Sequence, residues 1–264
     1  MDRSSFRVAA AGFAALIVSL VLVPPANAAS AERYVALGDS YSAGVGAGSY
    51  IASSGDCRRS TKAYPYLWKS SNAPASFTFA ACSGATTTSV RTGQLASLAT
   101  STSLVSISAG GNDVGFTSVM QTCVLRSQSR CVSAVDNAIA QVDGVLPGRL
   151  DSLYAAIRSR APDAHVVVMG YPRFYKLRGS CIVGLTETER AAINRGADAL
   201  NAQIAKRAAD HGFTFSSVTD EFTGHEICSG DAWLHSVTLP IWKSYHPKAV
   251  GQSSGYLPAF RSAA

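Results

Sequence analysis

Short apolar runs recur along the chain at residues 34–37, 77–80, 104–108, 165–169 and 213–217, with longer polar or amphipathic stretches between them. Each run has strand length and ends near glycine, proline or small polar residues. Residues 133–160 instead place Val135, Ile139, Val142, Leu146, Leu150, Leu153 and Ile157 at helical spacing, with a bend expected at Pro147. Residues 186–211 predict a second long helix. Thr186 and Glu189 stand three apart as a capping box, and Gly212 follows as a stop. Strands alternating with helices predict a parallel sheet covered on both faces, an α/β/α sandwich of five strands. Such sheets gather reactive groups beyond the carboxyl ends of their strands.

The amino terminus follows a different pattern. Arg3 and Arg7 precede an apolar stretch over residues 8–23, and Ala26-Asn27-Ala28 offers a small-residue cleavage site. The stretch is shorter than the roughly 20 residues that span a bilayer. Residues 1–28 are therefore expected to be a signal peptide, leaving residues 29–264 as one exported domain. No second stretch is long enough for stable membrane insertion.

The net charge of +6 is spread along the chain rather than blocked, which argues against a nucleic-acid partner. A basic surface suits an anionic interface such as phospholipid, and equally serves solubility. Six cysteines behind an export signal predict three disulfides with fifteen possible connectivities. The pairing of chain neighbours, Cys57–Cys82, Cys123–Cys131 and Cys181–Cys228, is the working expectation. No Cys/His grouping has zinc spacing, so no metal is expected. A monomer is the default.

Four short motifs carry the candidate chemistry. Gly38-Asp39-Ser40 follows the first strand and Cys82-Ser83-Gly84 the second. Gly110-Gly111-Asn112-Asp113 follows the third, and Tyr245-His246-Pro247 lies near the carboxyl terminus. Ester cleavage needs a nucleophile, a base, and donors for the oxyanion. Ser40 supplies a hydroxyl and His246 a proton acceptor. The amides of Ser40 and Gly84 and the Asn112 side chain supply donors. Asp113 is assigned to holding its loop. Of the other histidines, His235 is the alternative base. The run Gly44-Val45-Gly46-Ala47-Gly48 lacks nucleotide-binding register and is expected to be a flexible loop beside Ser40, near the substrate entrance. Tyr64, Tyr66 and Trp68 are expected in the core, and Trp233, Trp242 and Tyr245 are candidates for an acyl-binding wall.

In this order the motifs resemble the four blocks of the SGNH or GDSL hydrolase superfamily, with Ser40, Gly84, Asn112 and His246 in the positions of its serine, glycine, asparagine and histidine. The six cysteines are most similar to those of its secreted actinobacterial lipases, esterases and phospholipases A1. The resemblance implies a flavodoxin-like three-layer fold, no cofactor, cleavage of carboxylic esters through an acyl-serine, and disulfides paired in sequence order. The family's last block is usually Asp-x-x-His, whereas Lys243 stands three before His246. The expected solution is a Ser–His pair whose imidazole is oriented by a backbone carbonyl at Lys243 or Ser244. A carbohydrate O-acetylesterase on the same scaffold, or a catalytically silent binding module, are the competing readings.

Overall fold

The computed structural model describes residues 1–2, 30–181 and 184–264. The expected signal peptide lies almost wholly outside the described residues. Five parallel strands form one sheet in the order β2-β1-β3-β4-β5: β1 Ser30–Ala36, β2 Pro74–Phe79, β3 Leu104–Ile107, β4 His165–Met169 and β5 Thr214–Ser216. The central strand β3 is buried throughout and β4 is buried after its first residue, whereas the edge strand β2 is partly exposed along its length. That contrast explains why the central strands read as continuous apolar runs: both of their faces are covered. Ser106 is the polar exception in β3, and its hydroxyl is satisfied 2.6 Å from Tyr34 Oη.

The main helices are α1 Ser40–Ala43, α2 Tyr64–Asn72, α3 Phe116–Leu125, α4 Gln128–Gly144, α5 Leu146–Arg160, α6 Glu187–Asp210 and α7 Leu257–Ala263. On one face α2 and α7 close over β1, where Tyr34 packs against Trp68 and Phe260 at ring separations of 5.1 and 5.5 Å. On the other, α6 lies against β4 and β5, and α4 and α5 pack along it. Among the described residues no helix is long and apolar enough to cross a membrane.

The expected helix over 133–160 is two helices. It breaks at Val145 and restarts with Pro147 in the first turn of α5, because a proline has no amide to donate and clashes with the preceding turn. The capping box at Thr186 and Glu189 forms at the start of α6, with both reciprocal bonds present. Tyr64 and Trp68 are core residues, but Tyr66 lies on the partly exposed side of α2. The three disulfides join Cys57 to Cys82, Cys123 to Cys131 and Cys181 to Cys228.

Register sets the geometry of the strand ends. Ala36 pairs with Phe79 on one side and Ser106 on the other. The loops following β1, β2 and β3 therefore leave the sheet side by side. Because β1 lies between β2 and β3, whatever follows β1 is flanked by the other two loops. Gly38 sits at this crossing with φ +120°, and a Cβ added there would lie 2.5 Å from the Ser108 carbonyl oxygen. Replacing Gly38 by alanine is expected to cost at least about 2 kcal/mol, from backbone strain and overpacking together. A urea unfolding midpoint equal to that of the parent would contradict this.

Candidate active site

Ser40 is the first residue of α1, just beyond the carboxyl end of β1. Asp39 caps this turn. Its carboxylate accepts from the Tyr41 amide at 3.0 Å, Ser108 Oγ at 2.7 Å and the Tyr171 hydroxyl at 2.5 Å. Burial drives the Asp39 carboxyl up to about 6, against the opposing pull of those donors. Gln94 clamps Gly38 from the other side, accepting from its amide and donating to its carbonyl, both at 2.8 Å. The position of Ser40 is thus set by neutral and charged hydrogen bonds in a dry surround.

The loops from β2 and β3 arrive on either side. Gly84 has φ +77° with open space where a side chain would project. Any other residue there is strained by the backbone rather than by its neighbours. Asn112 Nδ2 donates to the Ala85 carbonyl at 2.9 Å, which fixes the side chain while using only one of its two N–H groups. Asp113 ties the two loops together, accepting from Thr87 Oγ1 at 2.6 Å and from the Thr87 amide at 2.9 Å.

His246 comes from the far end of the chain. Its Nε2 lies 2.7 Å from Ser40 Oγ. The residue as a whole is partly exposed, but Nδ1 is enclosed and finds no acceptor in hydrogen-bonding geometry. The carbonyls of Ser244, Lys243 and Trp242 lie close enough to raise the ring's proton affinity, Ser244 most. Desolvation outweighs them, and with the nearby His235 ring pushes the His246 pKa down to about 4. The neutral imidazole that results can accept a hydroxyl proton near neutral pH.

Ser40, Gly84, Asn112 and His246 open onto one cavity of about 620 Å³. Beyond these polar groups its walls are mostly apolar, with Met120 from α3, Val135 and Ile139 from α4, and Ile193 and Leu200 from α6.

The whole set, from Ser40 to His246, falls within residues 36–253, which match the model of the GDSL-like lipase/acylhydrolase family. The chain belongs to that family. Lipase 1 of Streptomyces coelicolor is 59% identical to it over 97% of this chain and 95% of its own. Phospholipase A1 from Streptomyces albidoflavus superposes with a TM-score of 0.87 at 61% identity, over 89% of this chain and 100% of that one. The extracellular lipase of Streptomyces rimosus does so with 0.87 at 59% identity, over 89% and 100%. As a member of the GDSL family the chain is a carboxylic ester hydrolase.

Three expectations are corrected for this GDSL-family site. The glycine run does not face the cavity. Gly46 packs behind the histidine loop, where a Cβ would lie 2.6 Å from the Pro247 carbonyl oxygen, and its own carbonyl lies 2.9 Å from His235 Nε2. His235 is therefore engaged behind the site. Trp242 and Tyr245 line the cavity, but Trp233 stacks on His225 with ring centroids 3.7 Å apart. Sequence reasoning had no access to Gln94 and Tyr171, since neither belongs to a motif and both act through distant loops.

The depressed pKa of His246 has a measurable consequence. The unfolded chain takes up a proton near the ordinary value of 6.5, whereas the folded chain does so only near 4. The stability contributed by the neutral ring is complete above 6.5 and is lost as pH falls through that window to about 4. A His246→Gln variant lacks this loss. Its stability relative to the parent, from urea unfolding, is expected to improve steadily between those pH values. A constant difference would show that the ring is not held neutral.

Proposed function

We propose that this GDSL-family hydrolase is exported and cleaves lipid carboxylic esters through an acyl intermediate on Ser40. In the forward step His246 Nε2 takes the Ser40 proton as Oγ attacks the ester carbonyl, and the same nitrogen returns it to the departing alcohol. Water then attacks the acyl-serine with His246 again as base. The Ser40 and Gly84 amides and Asn112 Nδ2 hold the oxyanion. With no carboxylate at Lys243, the main-chain carbonyl of Ser244, ahead of that of Lys243, is the acceptor toward which Nδ1 must close when the ring takes up the proton. A carbonyl stabilises imidazolium less than a carboxylate does, and the low pKa of His246 is in keeping with that. Export is supported by the leader-like residues 1–28 and by the extracellular character of the Streptomyces rimosus relative.

The observation that carries the lipid reading is the Ser40–His246 contact of 2.7 Å opening onto an apolar cavity of about 620 Å³. Pockets of roughly 300–1,000 Å³ accept whole small ligands, and an acetyl group would leave most of this one unfilled. The cavity therefore favours acyl chains over the O-acetylesterase reading.

A panel of p-nitrophenyl esters from acetyl upward, with a diacyl phospholipid beside it, tests this. Turnover is expected to rise from acetyl to medium and long acyl chains, and Ser40→Ala is expected to abolish it while leaving the fold intact. A preference for acetyl esters would return the site to the O-acetylesterase reading, and turnover surviving in Ser40→Ala would remove the serine. For Asn112→Ala a loss of about 10²–10³ in kcat is expected, the usual effect of deleting one oxyanion donor. A change below tenfold would take Asn112 out of that role.

A further inference from the structure

The cavity mouth carries large apolar side chains exposed to water. Val237 is 50% exposed and Ile241 64%, and both line the cavity, while Leu239 between them is 86% exposed. Leu125 at the end of α3 lines the same cavity and is 72% exposed. Such a cluster is costly in water, and a contiguous apolar patch beside a ligand cavity marks an interaction surface.

These side chains are not on a loose loop. The Ser244 hydroxyl closes the segment at its neck, accepting from the Thr238 amide at 3.0 Å and donating to the Thr238 carbonyl at 3.2 Å. The Lys243 and Ser244 amides bond back to the Pro240 and Ile241 carbonyls at 2.9 and 3.0 Å. The Cys123–Cys131 disulfide staples α3, two residues before Leu125, to α4. Both apolar edges are held rigidly outward.

Charge identifies the occupant. No aspartate or glutamate occurs between Asp113 and Asp136, nor anywhere after Asp231. The two segments that form the mouth are therefore free of carboxylates, while Arg126 and Arg130 flank Leu125 on the surface and Lys243 follows Ile241. The exposed carboxylate of Asp56, from another segment, is paired with Arg58, whose guanidinium lies over the cavity-lining Trp242. Apolar tips flanked by cations that have no ion pair among the described residues complement a surface that is apolar inside and anionic outside.

We infer that the mouth is a docking collar for an anionic phospholipid surface, with Leu125, Val237, Leu239 and Ile241 entering the acyl boundary and Arg126, Arg130 and Lys243 meeting lipid phosphates. The inference rests on the lipid-ester reading and adds where the substrate is met: at the aggregate, with the cavity opening directly into it.

The test separates docking from chemistry. Ser40→Ala protein is mixed with vesicles of phosphatidylglycerol or of phosphatidylcholine, and bound protein is measured by sedimentation at low and high salt. Tight binding to phosphatidylglycerol is expected, weakened by salt and much weaker on phosphatidylcholine. Each cation near an anionic surface is worth about fivefold in partition, so reversing two of them with Arg126→Glu and Arg130→Glu should weaken binding at least tenfold. In the Ser40→Ala background Leu239→Ser should weaken it several-fold. In the active protein, Leu239→Ser should leave turnover of soluble p-nitrophenyl butyrate within about twofold, since Leu239 does not line the cavity. Equal binding to both lipids, no binding at all, or variants that bind like their parent would each overturn the inference. A dimer in solution that Leu239→Ser dissolves, without vesicle binding, would assign the collar to a second copy and overturn it too. Failure of the wild-type protein to hydrolyse soluble esters would instead sink the lipid-ester reading, whatever the vesicles show.

Discussion

The contact between Ser40 Oγ and His246 Nε2 joins residues 206 positions apart, and neither local element could maintain it alone. Its stability comes from the residue beside each partner. The Tyr41 hydroxyl donates to the Tyr245 carbonyl at 2.6 Å, a strut that runs parallel to the Ser40–His246 contact. Tyr245 adopts φ +64°, a conformation disfavoured for a bulky side chain, and its ring packs against Phe116, Phe174 and Tyr175 while its amide donates to the His235 carbonyl. Packing thus offsets the backbone strain that turns His246 toward the strand ends. Gln252 completes the brace, donating to the Tyr41 carbonyl at 3.0 Å and accepting from the Tyr64 amide at 2.9 Å. The carboxyl-terminal segment is in this way fixed to both α1 and α2.

The same enclosure sets the electrostatics. Asp39 and His246 both lie within this small region, and burial pushes each toward its neutral form: Asp39 up to about 6, His246 down to about 4. Asp39 does not bond to His246. Its acceptors serve the Tyr41 amide, Ser108 and Tyr171, which places the nearest buried carboxylate under the serine rather than behind the histidine. A site built this way holds the His246 imidazole neutral by burying it, with no carboxylate behind the ring. On the proposed mechanism, transition-state stabilisation falls more heavily on the oxyanion donors than in a triad with a carboxylate.

How much was legible in sequence follows from the range of each interaction. The candidate residues at the strand ends, Ser40, Gly84 and Asn112, were visible because a parallel sheet aligns those ends whatever the intervening helices do. Pro147 announced its helix break, and Thr186 with Glu189 announced a helix start, since both are local chemistry. Gln94 was invisible: its two bonds go to the backbone of Gly38, and no pattern of side chains encodes a partner that is a peptide group. The glycine run failed for a related reason. Its small size suggested openness, whereas Gly46 is small because Pro247 and His246 press against it. Trp233 likewise found a stacking partner in His225, a contact set by a turn that sequence spacing does not specify.

Chemistry and substrate range are carried by different layers of this fold. The serine, glycine and asparagine belong to loops whose positions follow from strand order. The apolar depth of the cavity belongs to α3, α4 and α6, which reach it from one face of the sheet. Met120, Val135, Ile139, Ile193 and Leu200 can change in size without disturbing the register that brings the loops of β1, β2 and β3 together, because none of them contributes to the sheet. A scaffold arranged like this can retain one hydrolytic centre while the acyl group it accepts is altered by helix packing alone. The disulfide between Cys123 and Cys131 matters in that light: it holds the α3–α4 hairpin, and therefore the cavity's outer wall, at a defined distance from a serine that hairpin never touches in sequence.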